Sequence, residues 1–123
     1  VAETALLEGI DAIKPGATVG DIGHAIERYV KQYKLGIVRD LSGHGVGRAI
    51  HEDPYVPNYG KPGKGALLQP GMVIAIEPML TRGSEEIMEL ADGYTLKTID
   101  GSHAAHFEHT VLITDTGAQV LTK

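Results

Sequence analysis

Cysteine is absent from the 123 residues. Disulfides, thiolate nucleophiles and thiolate–metal sites are therefore excluded, and any metal must be held by His, Asp or Glu. The same absence fits a reducing cytosol, and a cytoplasmic location is the expectation. Tryptophan is also absent and phenylalanine occurs once, so the core must be largely aliphatic. No stretch approaches the roughly 20 apolar residues of a membrane-spanning helix, and no signal peptide or lipidation motif is seen. Lys and Arg number 11 against 16 Asp and Glu, and the net charge is −5. Without a basic run, neither nucleic acid nor a membrane surface is expected as a partner. An initiator methionine is missing as well. Val1-Ala2-Glu3-Thr4-Ala5-Leu6-Leu7 reads as a helix already under way, so a chain trimmed or cut from something longer is the expectation.

What the chain does have is glycine, 16 residues, and six histidines. Three of these glycines and two of the histidines, seven residues apart, share the stretch Leu41-Ser42-Gly43-His44-Gly45-Val46-Gly47-Arg48-Ala49-Ile50-His51-Glu52-Asp53-Pro54. Glycine at alternate positions suits neither a good helix nor a good strand, but it lets backbone approach another group closely. A histidine aimed from such a bend is a candidate metal ligand or acid–base group. A glycine-rich turn with incidental histidines is the plainer alternative.

Periodicity places the elements. Ala2, Ala5, Leu6, Ile10 and Ile13 recur at helical spacing, predicting a helix over 2–13 that ends at Lys14-Pro15-Gly16. Thr18-Val19-Gly20-Asp21 resembles a capping box. Val19, Ile22, Ala25, Ile26, Tyr29, Val30 and Tyr33 then form one stripe, predicting a helix over 19–33 with His24 at the surface. Strands are predicted at 37–40, 72–76, 107–114 and 118–122, with a hairpin from 86–90 and 94–98. Residues 52–71 read as irregular, with an extended piece near 56–59. Two helices followed by four to six mostly antiparallel strands make an α+β chain, read as one domain over 1–123.

Two acids stand out. Glu77 closes the apolar run Ile74-Ala75-Ile76, and a carboxylate there is costly unless something pairs with it. Pro78 removes a backbone donor, so strand pairing should fail just there. A surface strand end is the alternative. Glu108 enters an otherwise apolar strand and shares a face with His106, Thr110 and Leu112; an edge strand with a polar face is its alternative. His44, Glu77 and Glu108 together form an imidazole-plus-carboxylate set suited to Mn(II), Fe(II), Co(II) or Zn(II). Such a site makes hydroxide near neutral pH, and His51 is left to face a scissile carbonyl. Metal-assisted amide hydrolysis is the reaction this set suits.

Gly43-His44-Gly45-Val46-Gly47-Arg48 with His51-Glu52-Asp53-Pro54, then Leu68-Gln69-Pro70-Gly71 through Glu77-Pro78-Met79, then Asp92-Gly93-Tyr94-Thr95-Leu96-Lys97-Thr98, then Phe107-Glu108-His109-Thr110-Val111, resemble type I methionine aminopeptidase. Prolidases share the first two elements but lack the hairpin and the Glu-His-Thr strand. The resemblance implies half of a pita-bread fold, two N-terminal helices on a mostly antiparallel curved sheet, and corresponds to the C-terminal half only. It implies His44, Glu77 and Glu108 as metal ligands, with Glu108 bridging two divalent ions in the complete site and Glu77 also moving protons. One ion is expected in this chain alone. It implies His51 as a catalytic substrate contact and Ile50 and Tyr94 as lining of the methionine pocket. His106 falls where glutamine is common in the family, a change with no account. The implied activity is removal of N-terminal methionine from nascent proteins and peptides by metal-hydroxide attack on the first peptide bond. The family's two aspartate ligands are missing, so the other half would come in cis, in trans, or from a homodimer imitating both halves. A non-catalytic protein- or peptide-binding module, or a prolidase, are the alternative readings.

Overall fold

The computed structural model describes residues 2–38, 42–47, 52–82, 87–89, 96–98 and 104–122. Helix α1 (Ala2–Asp11) and helix α2 (Val19–Lys31) lead. Ten short strands follow: β1 (Gly36–Ile37), β2 (Gly43–Gly45), β3 (Glu52–Val56), β4 (Val73–Ile76), β5 (Met79–Thr81), β6 (Ile87–Glu89), β7 (Leu96–Thr98), β8 (Ala104–His106), β9 (His109–Ile113) and β10 (Ala118–Val120). They form a five-stranded sheet ordered β10-β9-β4-β2-β3, a three-stranded sheet ordered β1-β5-β8, and the β6-β7 pair. Every strand pairing among the described residues is antiparallel. The α+β reading holds, as does the hairpin, whose register sets Ile87 against Thr98. Its connecting residues lie outside the described set.

The core is aliphatic. Leu6 of α1 and Ile22, Ile26 and Val30 of α2 pack with Val56, Ile74, Ile76, Val111 and Ile113 of the five-stranded sheet. Each such side chain contributes about 1.5–3 kcal/mol when fully buried. Helix α2 starts as its sequence implies: the Asp21 carboxylate accepts from the Thr18 backbone N–H at 2.8 Å. This bond and a second one from Gly63 N–H hold the Asp21 carboxyl below its usual pKa, against the effect of burial. The helix stops two residues before the expected end. Tyr33 and Lys34 close in tighter turns, Lys34 takes φ 55°, and Tyr33 lies outside the helix and half exposed.

Three expectations need correction. Gly43-His44-Gly45 is a fully buried strand lying between β3 and β4, not a bend unsuited to strand. Its glycine has a steric reason: a Cβ at Gly43 would overlap the Ala75 carbonyl. Residues 52–56, expected to be irregular, form the edge strand β3. Its Pro54 falls where the register against β2 shifts, a place and an edge that spare its missing N–H. The strand expected over 107–114 starts only at His109, as β9; Phe107-Glu108 interrupt the pairing and separate it from a further strand, β8, just as Glu77-Pro78 separate β4 from β5. With β2, β3, β5 and β8 added, the described residues hold ten strands rather than the expected four to six.

Helix α2 also anchors the 57–68 segment. Val19 and Gly20 N–H donate to the Ala66 and Lys64 carbonyls at 2.9 Å, and Asp21 accepts from Gly63 N–H at 2.9 Å. Gly23 presses against the Pro57 and Tyr59 carbonyls so closely that a Cβ would overlap them. Gly23→Ala should therefore destabilise the chain by roughly 2–3 kcal/mol or more, despite raising helix propensity. Urea unfolding measures it, and a gain in stability would contradict the close approach.

Candidate metal centre and family

The two interruptions face each other. Ile76 pairs with His109 on one side, and Met79 pairs with His106 on the other. The same register runs through both ladders and sets Glu77 opposite Glu108 and Pro78 opposite Phe107. The Phe107 N–H indeed donates to the Pro78 carbonyl at 3.3 Å. Pro78, having no N–H, cannot return a ladder bond. The two carboxylates are thus direct cross-strand neighbours, an arrangement that repels when both are charged.

His44 comes from the adjacent strand, where it pairs with Ala75. It is buried, and its Nδ1 lies 3.0 Å from the Gly45 carbonyl. A carbonyl only accepts, so Nδ1 carries the proton and donates it there. Nε2 then presents its lone pair, 3.6 Å from Glu77 Oε2. A ring nitrogen held by a backbone carbonyl, with the other turned to the site, is how metal-ligating histidines are oriented. Ligand atoms of His44, Glu77 and Glu108 all lie within 4.8 Å of one another. Burial falls along the set, with side-chain exposure of 8% for His44 and 15% for Glu77, while Glu108 is exposed.

Burial pushes the Glu77 carboxyl up to about 8, helped by its hydrogen bond and charge contact with Glu108. Two carboxylates and an imidazole converge where only a proton otherwise offsets the charge. A divalent cation fits that donor set: oxygen and nitrogen ligands, no sulfur, and two carboxylates whose repulsion it would cancel. The structure brings together the three residues expected as ligands. Ile50, His51 and Tyr94 lie outside the described residues. His106 is exposed on β8, and His109 bonds Thr122 Oγ1 at 3.1 Å, away from the set. Sequence reasoning missed Asn58, whose Nδ2 donates to the Glu77 main-chain carbonyl. It lies between Pro57 and Tyr59 in what reads as loop, and no periodicity marks it.

Residues 1–115 match metallopeptidase family M24. The chain belongs to this family. The family uses divalent metals, consistent with the converging donors. The chain is 50% identical over 123 residues to methionine aminopeptidase 1 of Bacillus subtilis, covering 100% of this chain and 50% of that protein. A crystal structure of the Thermotoga maritima methionine aminopeptidase superimposes with TM-score 0.96 at 50% identity, covering 100% of this chain and 49% of that one. A prolidase from Pyrococcus furiosus gives TM-score 0.70 at 31% identity, over 99% of this chain and 30% of its own. The chain thus spans about half the length of the curated relatives it matches. The expected pita-bread architecture is the fold of these M24 neighbours. No helix among the described residues is long and apolar enough to cross a membrane.

The raised Glu77 carboxyl gives a stability signature. In the folded, metal-free chain Glu77 keeps its proton up to about pH 8; unfolded, it loses it near 4.5. The folded state binds more protons between those values, so stability is greatest below about 4.5 on this account and falls as pH rises toward 8. Urea unfolding of chelator-treated protein at pH 5 and pH 8.5 should show the loss, and Glu77→Gln should flatten it. Mn(II) binding at pH 7 should expel that proton, read by calorimetry in buffers of different ionisation enthalpy.

Proposed function

We propose that this chain is the C-terminal half of a methionine aminopeptidase catalytic domain, a single domain over 1–123 that acts in the cytoplasm. Its substrates are the N-termini of nascent proteins and peptides. The observation that carries the reading is the convergence of His44, Glu77 and Glu108 in a chain 50% identical, end to end, to methionine aminopeptidases. The gap between TM-scores of 0.96 and 0.70 favours the methionine branch over prolidase.

In this reading His44, Glu77 and Glu108 would hold one divalent ion in this chain, and Glu108 would also serve a second ion when the other half is present. Mn, Fe, Co and Zn all suit the donors. Bound there, a divalent ion supplies Lewis acidity, polarising a carbonyl and acidifying a water. The protein's own groups do the rest. His44 is held in one tautomer by the Gly45 carbonyl, so its Nε2 stays a ligand. The Glu77 carboxylate takes a proton from the attacking water and returns it to the departing amine. Glu108, exposed at the edge of the set, has room to ligate a shared ion. His51 donates to the scissile carbonyl as charge develops, and Ile50 and Tyr94 line the pocket for the methionine side chain.

The missing donors come from a second half, in cis, in trans, or from another copy. Supplying the remaining half of the Bacillus subtilis relative in trans should yield Mn(II)- or Co(II)-dependent hydrolysis of Met-Ala-Ser. Glu77→Gln and Glu108→Gln should each lower kcat by about a hundredfold or more. Full activity from a confirmed monomer of this chain alone would contradict the half-site reading, and preference for X-Pro over Met-X substrates would point to prolidase.

A further inference from the structure

Asn58 is fully buried in the segment that α2 anchors. Its flanking residues, Pro57 and Tyr59, are the ones whose carbonyls press on Gly23. Its Nδ2 donates to the Glu77 main-chain carbonyl at 3.3 Å, across 19 residues of sequence. That acceptor fixes which way the amide faces: the NH2 is toward Glu77 and Oδ1 is turned away. Oδ1 is buried and has no hydrogen-bond partner among the described residues.

A buried carbonyl oxygen left without a protein partner costs about 1–3 kcal/mol. Asn58 is therefore a poor choice for stability, since leucine has nearly its shape and no polar atom to bury. Leucine cannot, however, hold the Glu77 carbonyl. That carbonyl belongs to the peptide joining Glu77 to Pro78, at the interruption between β4 and β5. On the N-terminal side of Glu77 the backbone is pinned by the ladder, where Ile76 pairs with His109. The Asn58 amide pins the C-terminal side. With both flanking peptides fixed, the Cα–Cβ direction of Glu77 is fixed, and its carboxylate is delivered to His44 and Glu108.

We infer that Asn58 is a positioning residue for Glu77, holding the carboxylate in ligating geometry through its peptide carbonyl. The inference rests on the reading of His44, Glu77 and Glu108 as a divalent-metal centre, and it ties that centre to helix α2 through the Gly23 contact. The variants are Asn58→Leu, which keeps the volume, and Asn58→Asp, which keeps the shape without a donor. Calorimetric titration of the chain with Mn(II) should show affinity about 10–100-fold weaker in both. The melting temperature of metal-free Asn58→Leu should stay level or rise. A merely structural role gives the opposite pattern, a lower melting temperature with affinity within twofold of wild type, and would overturn the inference. A readout without metal separates this from the parent reading: the Glu77 carboxyl and His44 ring NMR resonances of the metal-free chain, at one fixed pH. They should move in Asn58→Leu. If wild type takes up no Mn(II), the metal-centre reading fails, and unmoved resonances would then overturn the positioning role as well.

Discussion

Glu77 faces Glu108 across an interrupted ladder, and like charges placed directly opposite repel. Much of the local structure either creates that contact or lives with it. Pro78 ends regular pairing on one strand, and the partner strand yields in register, so both acids leave the sheet at the same point. The buried His44 closes the third side with a ring whose proton is committed elsewhere. No Lys or Arg among the described residues is paired with either acid. Burial first, and the hydrogen bond and charge of Glu108 second, hold a proton on Glu77 well above the ordinary carboxylate range, and that proton relieves the repulsion. A site that holds a proton this way is poised to exchange it for a cation of higher charge.

That geometry is built from the outside inward. Helix α2 binds the 57–68 segment by backbone bonds at its first turn and by the close seating of Gly23. The segment carries Asn58 to the back of Glu77. On the other flank, Gly43 lets β2 come close enough to the Ala75 carbonyl to set His44 beside β4. Small residues at two packing points thus decide where two ligating side chains stand. Neither glycine supplies a donor to the site.

The helices and the hydrophobic strands could be read from sequence because their periodicity is set by burial on one face, and burial is what the apolar residues record. Glu77 and Glu108 could be read as candidate ligands because a carboxylate at the end of an apolar run or inside one is costly and calls for a reason, and His44 because glycines flank it. The strand character of Gly43-His44-Gly45 could not, since local propensity opposes it and only the neighbouring β3 and β4 override it. The split of 104–113 into two strands was equally hidden. It is a response to Pro78 on the partner strand, and a one-strand reading contains no partner. Asn58 escaped for a related reason: its role is a bond to a main-chain carbonyl 19 residues away, and such bonds leave no pattern in the side-chain order.

The facing interruptions also lie where two sheets meet. β4 and β9 belong to the five-stranded sheet, β5 and β8 to the three-stranded one, and the chain passes from one sheet to the other at Glu77-Pro78 and again at Phe107-Glu108. An ion gripped by both acids would therefore act as a rivet through a seam. Losing it would do more than silence a reaction: it would return the seam to two acids that push apart, and the joint between the sheets would loosen in the same event that empties it. Mechanical integrity and chemical competence would then share a single fastening.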